Sequence, residues 1–258
     1  MGSNSTIALM RRLLVPELRV GEVTLSADQA HHARDVLRLT EGTTVELFTA
    51  DGRAAEARLA RVSADGVVAD VREVRDASRG GVRLTIASAV PKAARADWMI
   101  EKLSELGVAR FVPLQTERSI VHPEGRGKLG RWERLAAESA KQCRRAGVME
   151  IAELARVEKL VEAGGEGRGY LSTGGGVVGL GEWVANASGR APRAGRLQEA
   201  FGEIVLLVGP EGGWSERETA SFDKAGLTPL GLGATILRVE TAAIAAAAVV
   251  AVVSAGRA

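Results

Sequence analysis

The chain has 258 residues, 46% of them hydrophobic, and a formal net charge of +2. That content suffices for a packed core, and so small a charge argues against a protein that coats a polyanion. A single cysteine, Cys143, excludes an intrachain disulfide and suits a thiol-containing cytoplasmic protein.

No apolar segment follows a basic start, so no signal peptide is expected. The longest apolar run, Ala242–Val253, is short of the roughly 18 residues that a membrane span needs. It reads as a buried or interface helix. Only six of the 34 basic residues are lysine. Arginine forks suit phosphates and base edges, although genomic base composition gives the same bias.

Residues 1–78 read as a small β-domain. Arg11–Val15 opens it, and Ser26-Ala-Asp-Gln29 has the spacing of a helix cap for a short helix through Val36. Thr44–Phe48, Ala54–Val62 and Gly66–Val74 are strand-like, with Asp51-Gly52 and Asp65-Gly66 as turns. Short strands joined by hairpin turns suggest a small β-barrel. Asp76–Gly81 is the expected linker to a second domain over 82–258.

The pattern then changes to alternating strands and helices. Val82–Val90 is a strand, and Asp97–Leu106 is a helix closed by Gly107, with Trp98, Ile100, Leu103 and Leu106 as its apolar positions. Phe111–Leu114 is the next strand. Arg131–Ala146 is a helix ending at Gly147. Tyr170–Ser172 leads into Thr173-Gly-Gly-Gly176, and Ala185–Arg196 reads as a loop. Such alternation predicts a parallel α/β sheet.

Ile204–Val208, five apolar residues, predicts a buried strand. Gly209-Pro-Glu-Gly-Gly213 follows at once, then a helix from a Ser215-x-x-Glu218 capping box to Gly226. A glycine turn between strand and helix is where an open α/β sheet places its ligand. Leu227–Leu232 is the next strand, and Gly231–Thr241 forms a second glycine-containing loop before the last helix.

Gly209–Gly213, followed some twenty residues later by Leu232-Gly-Ala-Thr-Ile-Leu-Arg-Val-Glu-Thr-Ala242, resembles the paired C-terminal motifs of the RsmE family. His31–Leu39, followed by Glu41-Gly42 and a β-run, resembles the PUA-like N-terminal domain of the same family. The resemblance implies an enzyme that methylates N3 of a uridine in 16S ribosomal RNA of the small ribosomal subunit. It further implies a SPOUT-class fold, whose C-terminal chain forms a trefoil knot that binds S-adenosylmethionine, and a homodimer. In the second loop one family position departs, Thr235 standing where relatives carry arginine, and in the central region Glu101 and Lys102 stand where relatives often carry glutamine and lysine.

The expected cofactor residues are Leu171 and Thr173, then Leu207 with Gly209, Pro210, Glu211, Gly212 and Gly213, and then Leu232, Gly233, Ile236 and Leu237. Methyl transfer needs mainly placement, so loops of main chain can build the pocket. Arg238 is the candidate for stabilising charge that develops on uracil, against a plain ion pair. Glu240 is either the base or an acid favouring the start of the last helix. Arg11, Arg12, Arg34 and Arg38, with Lys141, Arg144 and Arg145, are the candidate RNA contacts, against solvated faces. His31, His32, His122 and Cys143 have no metal-ligand spacing, so no metal is expected. The rival readings are a ribose 2′-O-methyltransferase of the same class, a non-catalytic RNA-binding protein, and a nucleotide-binding enzyme using the Ser215 helix start as an anion site.

Overall fold

The computed structural model describes residues 10–76, 82–120, 126–162, 166–187 and 201–255. His122, the linker beyond Asp76 and the expected loop beyond Ala187 lie outside the described residues. The chain divides into two compact units, residues 1–79 with 140–148, and residues 80–139 with 149–258.

The first unit holds β1 (Arg11–Leu14), β2 (Gly21–Thr24), α1 (Ala27–His31) running into a π-helical turn over His32–Val36, β3 (Thr44–Phe48), β4 (Arg53–Ser63), β5 (Gly66–Val71) and β6 (Arg75–Asp76). The strands form one sheet in the order β1-β3-β4-β5-β2, with β6 on β4. In β4, Ala55, Ala57 and Leu59 are buried and alternate with exposed neighbours, so one face meets the core. That core joins Leu13, Val45, Leu47, Leu59 and Val67. The Ser26 hydroxyl caps α1 by accepting from Gln29 N, but the cap is not reciprocal. The Gln29 side chain turns instead to accept from Leu14 N and ties the helix to β1.

Residues 140–148 belong to this unit, although the sequence groups them with the second domain. The reason is local: Ala140 and Val148 pack with Phe48, and Val148 N donates to Ala50 O. Gly147, expected to end a helix, lies against β-domain main chain. A Cβ there would stand 2.7 Å from Ala50 O.

The second unit holds β7 (Arg83–Ala89), α2 (Ala94–Glu105), β8 (Arg110–Gln115), α3 (Arg126–Cys143, its last turn in the first unit), β9 (Glu150–Ile151), β10 (Ala155–Arg156), α4 (Val157–Glu162) and β11 (Arg168–Leu171). It continues with β12 (Val178–Gly179), α5 (Leu180–Ala187), β13 (Glu203–Val208), α6 (Glu216–Lys224), β14 (Thr228–Gly231) and α7 (Val239–Ala255). The sheet order is β10-β8-β7-β13-β11-β14-β12, with β9 on β8, and every pairing is parallel. β7 and β13 sit in the middle and are buried almost throughout; β13 accordingly reads as an apolar run over Ile204–Val208, while β7 buries Thr85 and Ser88 among its apolar residues.

Several elements differ from the sequence reading. α2 starts at Ala94 and buries Ala96, Met99, Ile100 and Leu103, leaving Trp98 exposed. α3 ends at Cys143 because Arg144 adopts φ 59°, a left-handed turn made without glycine. Ala185–Ala187 are the end of helix α5. Among the described residues no helix is long and apolar enough to cross a membrane.

Candidate active site

β13, β11 and β14 are neighbours and parallel, so the loops leaving their carboxyl ends share one edge of the sheet. These loops are Gly209–Gly213, Ser172–Gly176 and Leu232–Arg238. The second stays with the third strand through Ser172 N, which donates to Leu230 O at 2.9 Å. The sequence reading passed over the residue that joins the first two. Trp214 Nε1 donates to Leu171 O at 2.8 Å, and its ring would lie 2.9 Å from a Cβ on Gly209. Gly209 is therefore glycine because the indole packs against it. The ring in turn meets Phe222 edge-on at 4.9 Å, which anchors it to α6.

The turn itself closes through Gly213 N, which donates to Pro210 O, with Gly213 at φ 70°. Ser215 and Glu218 form a reciprocal capping box. Glu218 is buried and also accepts from Glu117 N at 3.0 Å, so the segment after β8 is fixed to the start of α6. From that segment Arg118 Nη1 donates to Gly212 O at 2.7 Å. Arg118 and Trp214 thus hold the glycine loop from two sides.

The expected cofactor residues divide by environment. Thr173, Glu211, Gly212, Gly213, Gly233 and Ile236 are exposed, and Leu171, Leu232 and Leu237 are half-buried. Leu207 departs from expectation: its side chain is buried in the core with Tyr170 and Phe222, and it lies within β13 between the paired strands β7 and β11. Ile236 is 83% exposed, an apolar side chain held out beside open main chain. Exposed main chain on three adjacent loops, with one uncovered apolar wall, fits a nucleoside such as that of S-adenosylmethionine.

Arg238 is exposed at the end of the third loop. Glu240 is not, being 4% exposed in the first turn of α7. Its Oε1 pairs with Arg95 Nη1 at 3.4 Å, and its Oε2 is buried with no hydrogen-bond partner among the described residues. A general base must reach the proton it takes, and Glu240 is covered. The structure argues for Glu240 as a buried ion-pair partner rather than a base.

Arg95 opens onto a cavity of about 250 Å³. Ala89, Val90, Pro91 and Pro210 form its apolar part, and Lys92 and Arg95 bring two cations to it. Between those cations Ala93 has φ 40°, a left-handed conformation that L residues rarely adopt. The sequence reading did not single out Lys92 or Arg95. The signal was their position just past a buried parallel strand.

The arginines of the first unit differ in the same way. Arg11 and Arg38 are exposed. Arg34 is tied to Asp35 and donates to Ser63 O and Ala64 O; its hydrogen bonds hold the Asp35 carboxyl at about 2. Arg12 is a correction: it is 8% exposed, pairs with Glu46 at 2.7 Å, lies over the Phe48 ring and donates to Ala140 O and Arg145 O. It knits residues 140–148 to the β-domain and has no face left for RNA. Burial likewise pushes the Arg145 guanidinium below its ordinary pKa, which argues against an open contact. Lys141 is half-buried, and Arg144 is exposed and reaches Glu46 at 3.7 Å. Among the described residues no group of three histidine, cysteine or acidic side chains is placed to hold a metal ion.

Comparison with known proteins adds the following. Residues 78–251 match the model of an RNA methyltransferase domain, and residues 25–72 match an RNA methyltransferase PUA domain. The chain is 31% identical to the ribosomal RNA small subunit methyltransferase E of Synechocystis over 93% of this chain and 77% of that one. It is 29% identical to the Bacillus subtilis protein of the same name, over 85% of each. The solved structure of the Neisseria gonorrhoeae protein of that name, bound to S-adenosylmethionine, superposes with a TM-score of 0.75 at 28% identity, over 93% of this chain and 95% of that one. A Legionella pneumophila methyltransferase with bound S-adenosylmethionine gives 0.78 at 27% identity, over 93% and 96%.

Proposed function

The chain belongs to the ribosomal RNA small subunit methyltransferase E family, and from that premise we propose that it methylates N3 of a uridine in 16S ribosomal RNA. It is an S-adenosylmethionine-dependent ribosomal RNA methyltransferase. The observation that carries the reading is the set of three loops on β13, β11 and β14, all inside the matched methyltransferase segment.

When bound, S-adenosylmethionine supplies a methyl group on a sulfonium, whose carbon–sulfur bond breaks as the new nitrogen–carbon bond forms. The chain's own residues do the rest. Gly212 and Gly213 bring open main chain to the ligand, with Ile236 and Leu237 as the facing wall. Arg238, exposed at the end of the third loop, is the cation that lowers the cost of charge that appears as N3 gives its proton to water. The matched PUA segment with its exposed Arg38, and exposed Arg11 on the strand before it, hold RNA on the small ribosomal subunit. The C-terminal chain over β13 to α7 forms the trefoil knot of the class. The protein works in the cytoplasm as a homodimer.

The test is a nucleoside digest of 16S RNA from cells with and without the gene, read by mass spectrometry. The expected result is 3-methyluridine that disappears with the gene and returns when the purified protein and S-adenosylmethionine are added to small subunits. A ribose-methylated nucleoside in its place would reassign the chemistry to 2′-O transfer.

A further inference from the structure

We propose that the cavity lined by Lys92 and Arg95 receives the acceptor base, that these two cations meet the charge on its carbonyl oxygens, and that Glu240 is a positioning residue holding Arg95. The inference rests on the uridine N3 reading above and adds to it the residues that take the base.

The position is the first argument. The cavity lies past the carboxyl end of β7, and Pro210 and Glu211 of the glycine loop form part of its wall. It therefore adjoins the candidate cofactor loop through residues of that loop itself. Size is the second. About 250 Å³ lies below the roughly 300 to 1,000 Å³ of pockets that enclose a whole drug-sized ligand. A cavity of this size suits one ring of a larger molecule, such as a single base turned out of its strand.

Chemistry is the third argument. Ala89, Val90, Pro91 and Pro210 line the cavity with the apolar surface that a flat ring needs, and Lys92 and Arg95 line it as cations. A uracil that loses its N3 proton spreads negative charge over O2 and O4. Two cations beside those oxygens act where charge develops, and Ser119, whose hydroxyl accepts from Thr116 N, lines the same cavity.

The Glu240 pair is the fourth. Arg95 keeps 41% of its side-chain surface exposed while one edge of its guanidinium meets Glu240. The contact is long at 3.4 Å, and the second carboxylate oxygen is buried without a partner. Leaving such an oxygen unsatisfied is costly, and a pair of this length can tighten when a ligand settles Arg95. The left-handed Ala93 between Lys92 and Arg95 is a local strain of the kind that concentrates at working sites.

The experiment uses the full chain, S-adenosylmethionine titration, thermal unfolding, and single-turnover methylation of small subunits from cells lacking the gene. Lys92→Ala and Arg95→Ala are expected to bind S-adenosylmethionine within about threefold of the parent and to methylate about 100-fold more slowly. Arg95→Lys should recover part of that loss. Glu240→Ala should slow the reaction about as much as Arg95→Ala, and the double variant should be no slower than either, since the two act as one unit. Parent-like rates in folded Lys92→Ala and Arg95→Ala would place the base elsewhere. Multiplied losses in the double variant would show that Glu240 does not act through Arg95. Should Arg95→Ala fail to fold, the exposed Lys92 carries the test. A parent protein that makes no 3-methyluridine overturns the functional reading and this inference together. A parent that makes it, with variants that match it, overturns the inference alone.

Discussion

Gly209 and Gly212 are both glycine in one short loop, for different reasons. At Gly209 a Cβ would press on the Trp214 ring at 2.9 Å, so Gly209→Ala is expected to destabilise the protein by about 1 to 3 kcal/mol, read from chemical unfolding. At Gly212 a Cβ would meet only the flexible stem of Arg118 at 3.4 Å. Gly212→Val should keep the parent's unfolding midpoint and lose S-adenosylmethionine binding in a calorimetric titration. Binding equal to the parent would move the cofactor away from this loop. Arg238 and Glu240 show the limit of the sequence at this scale. Two residues apart at a helix start, Arg238 reads as a cation for developing charge and Glu240 as helix-start acid more than base, and burial then separates them. Arg238 is exposed, so Arg238→Ala should cost little stability and leave cofactor affinity nearly unchanged. An interaction made mainly in the transition state should then cost about 100- to 1,000-fold in single-turnover rate. A near-parent rate would make Arg238 a structural residue.

The helix α6 was legible in full, because its start and stop are written in side chains: Ser215 and Glu218 cap it, and Gly226 at φ 74° ends it. Glu218 does more than the motif says: besides accepting from Ser215 N as the capping box requires, it accepts from Glu117 N. Glu218→Ala should therefore cost more than a lost cap. Each buried donor left unsatisfied is worth about 1 to 3 kcal/mol, measurable as a shift in the denaturation midpoint. Glu218→Gln, which keeps one acceptor, should fall between. α2 was misplaced because nothing local marks its beginning: Ala93 offers no side-chain cap. β9, β10 and β12 are two residues each and exist only through pairing with β8 and β14. Periodicity cannot announce an element that a distant strand creates. The three site loops were legible because glycine clusters followed or preceded buried strands. Trp214, Arg118 and Arg95 were not, because their roles depend on contacts 43, 94 and 145 residues away in the chain.

At the scale of the molecule, the last helix carries the prediction that a second copy completes it. Ala243, Ala246, Ala247 and Val250 of α7 are buried, a single stripe at helical spacing. The rest of the helix past Glu240 has no charged residue, and Val252 is 74% exposed. A soluble helix normally turns charge outward, so an outer face of alanine, isoleucine and valine calls for cover. Trp98 on α2, which packs against α7, is a second large apolar side chain left exposed. A two-fold interface uses the same patch on both subunits, and an alanine-rich helix lets two copies approach closely. The parent is therefore expected to sediment as a dimer at micromolar concentration. Val252→Glu, which places like charges across the axis, should shift it toward monomer while its thermal unfolding stays cooperative. A parent that sediments as a monomer would remove the claim. A Val252→Glu dimer as tight as the parent's would move the interface off this helix.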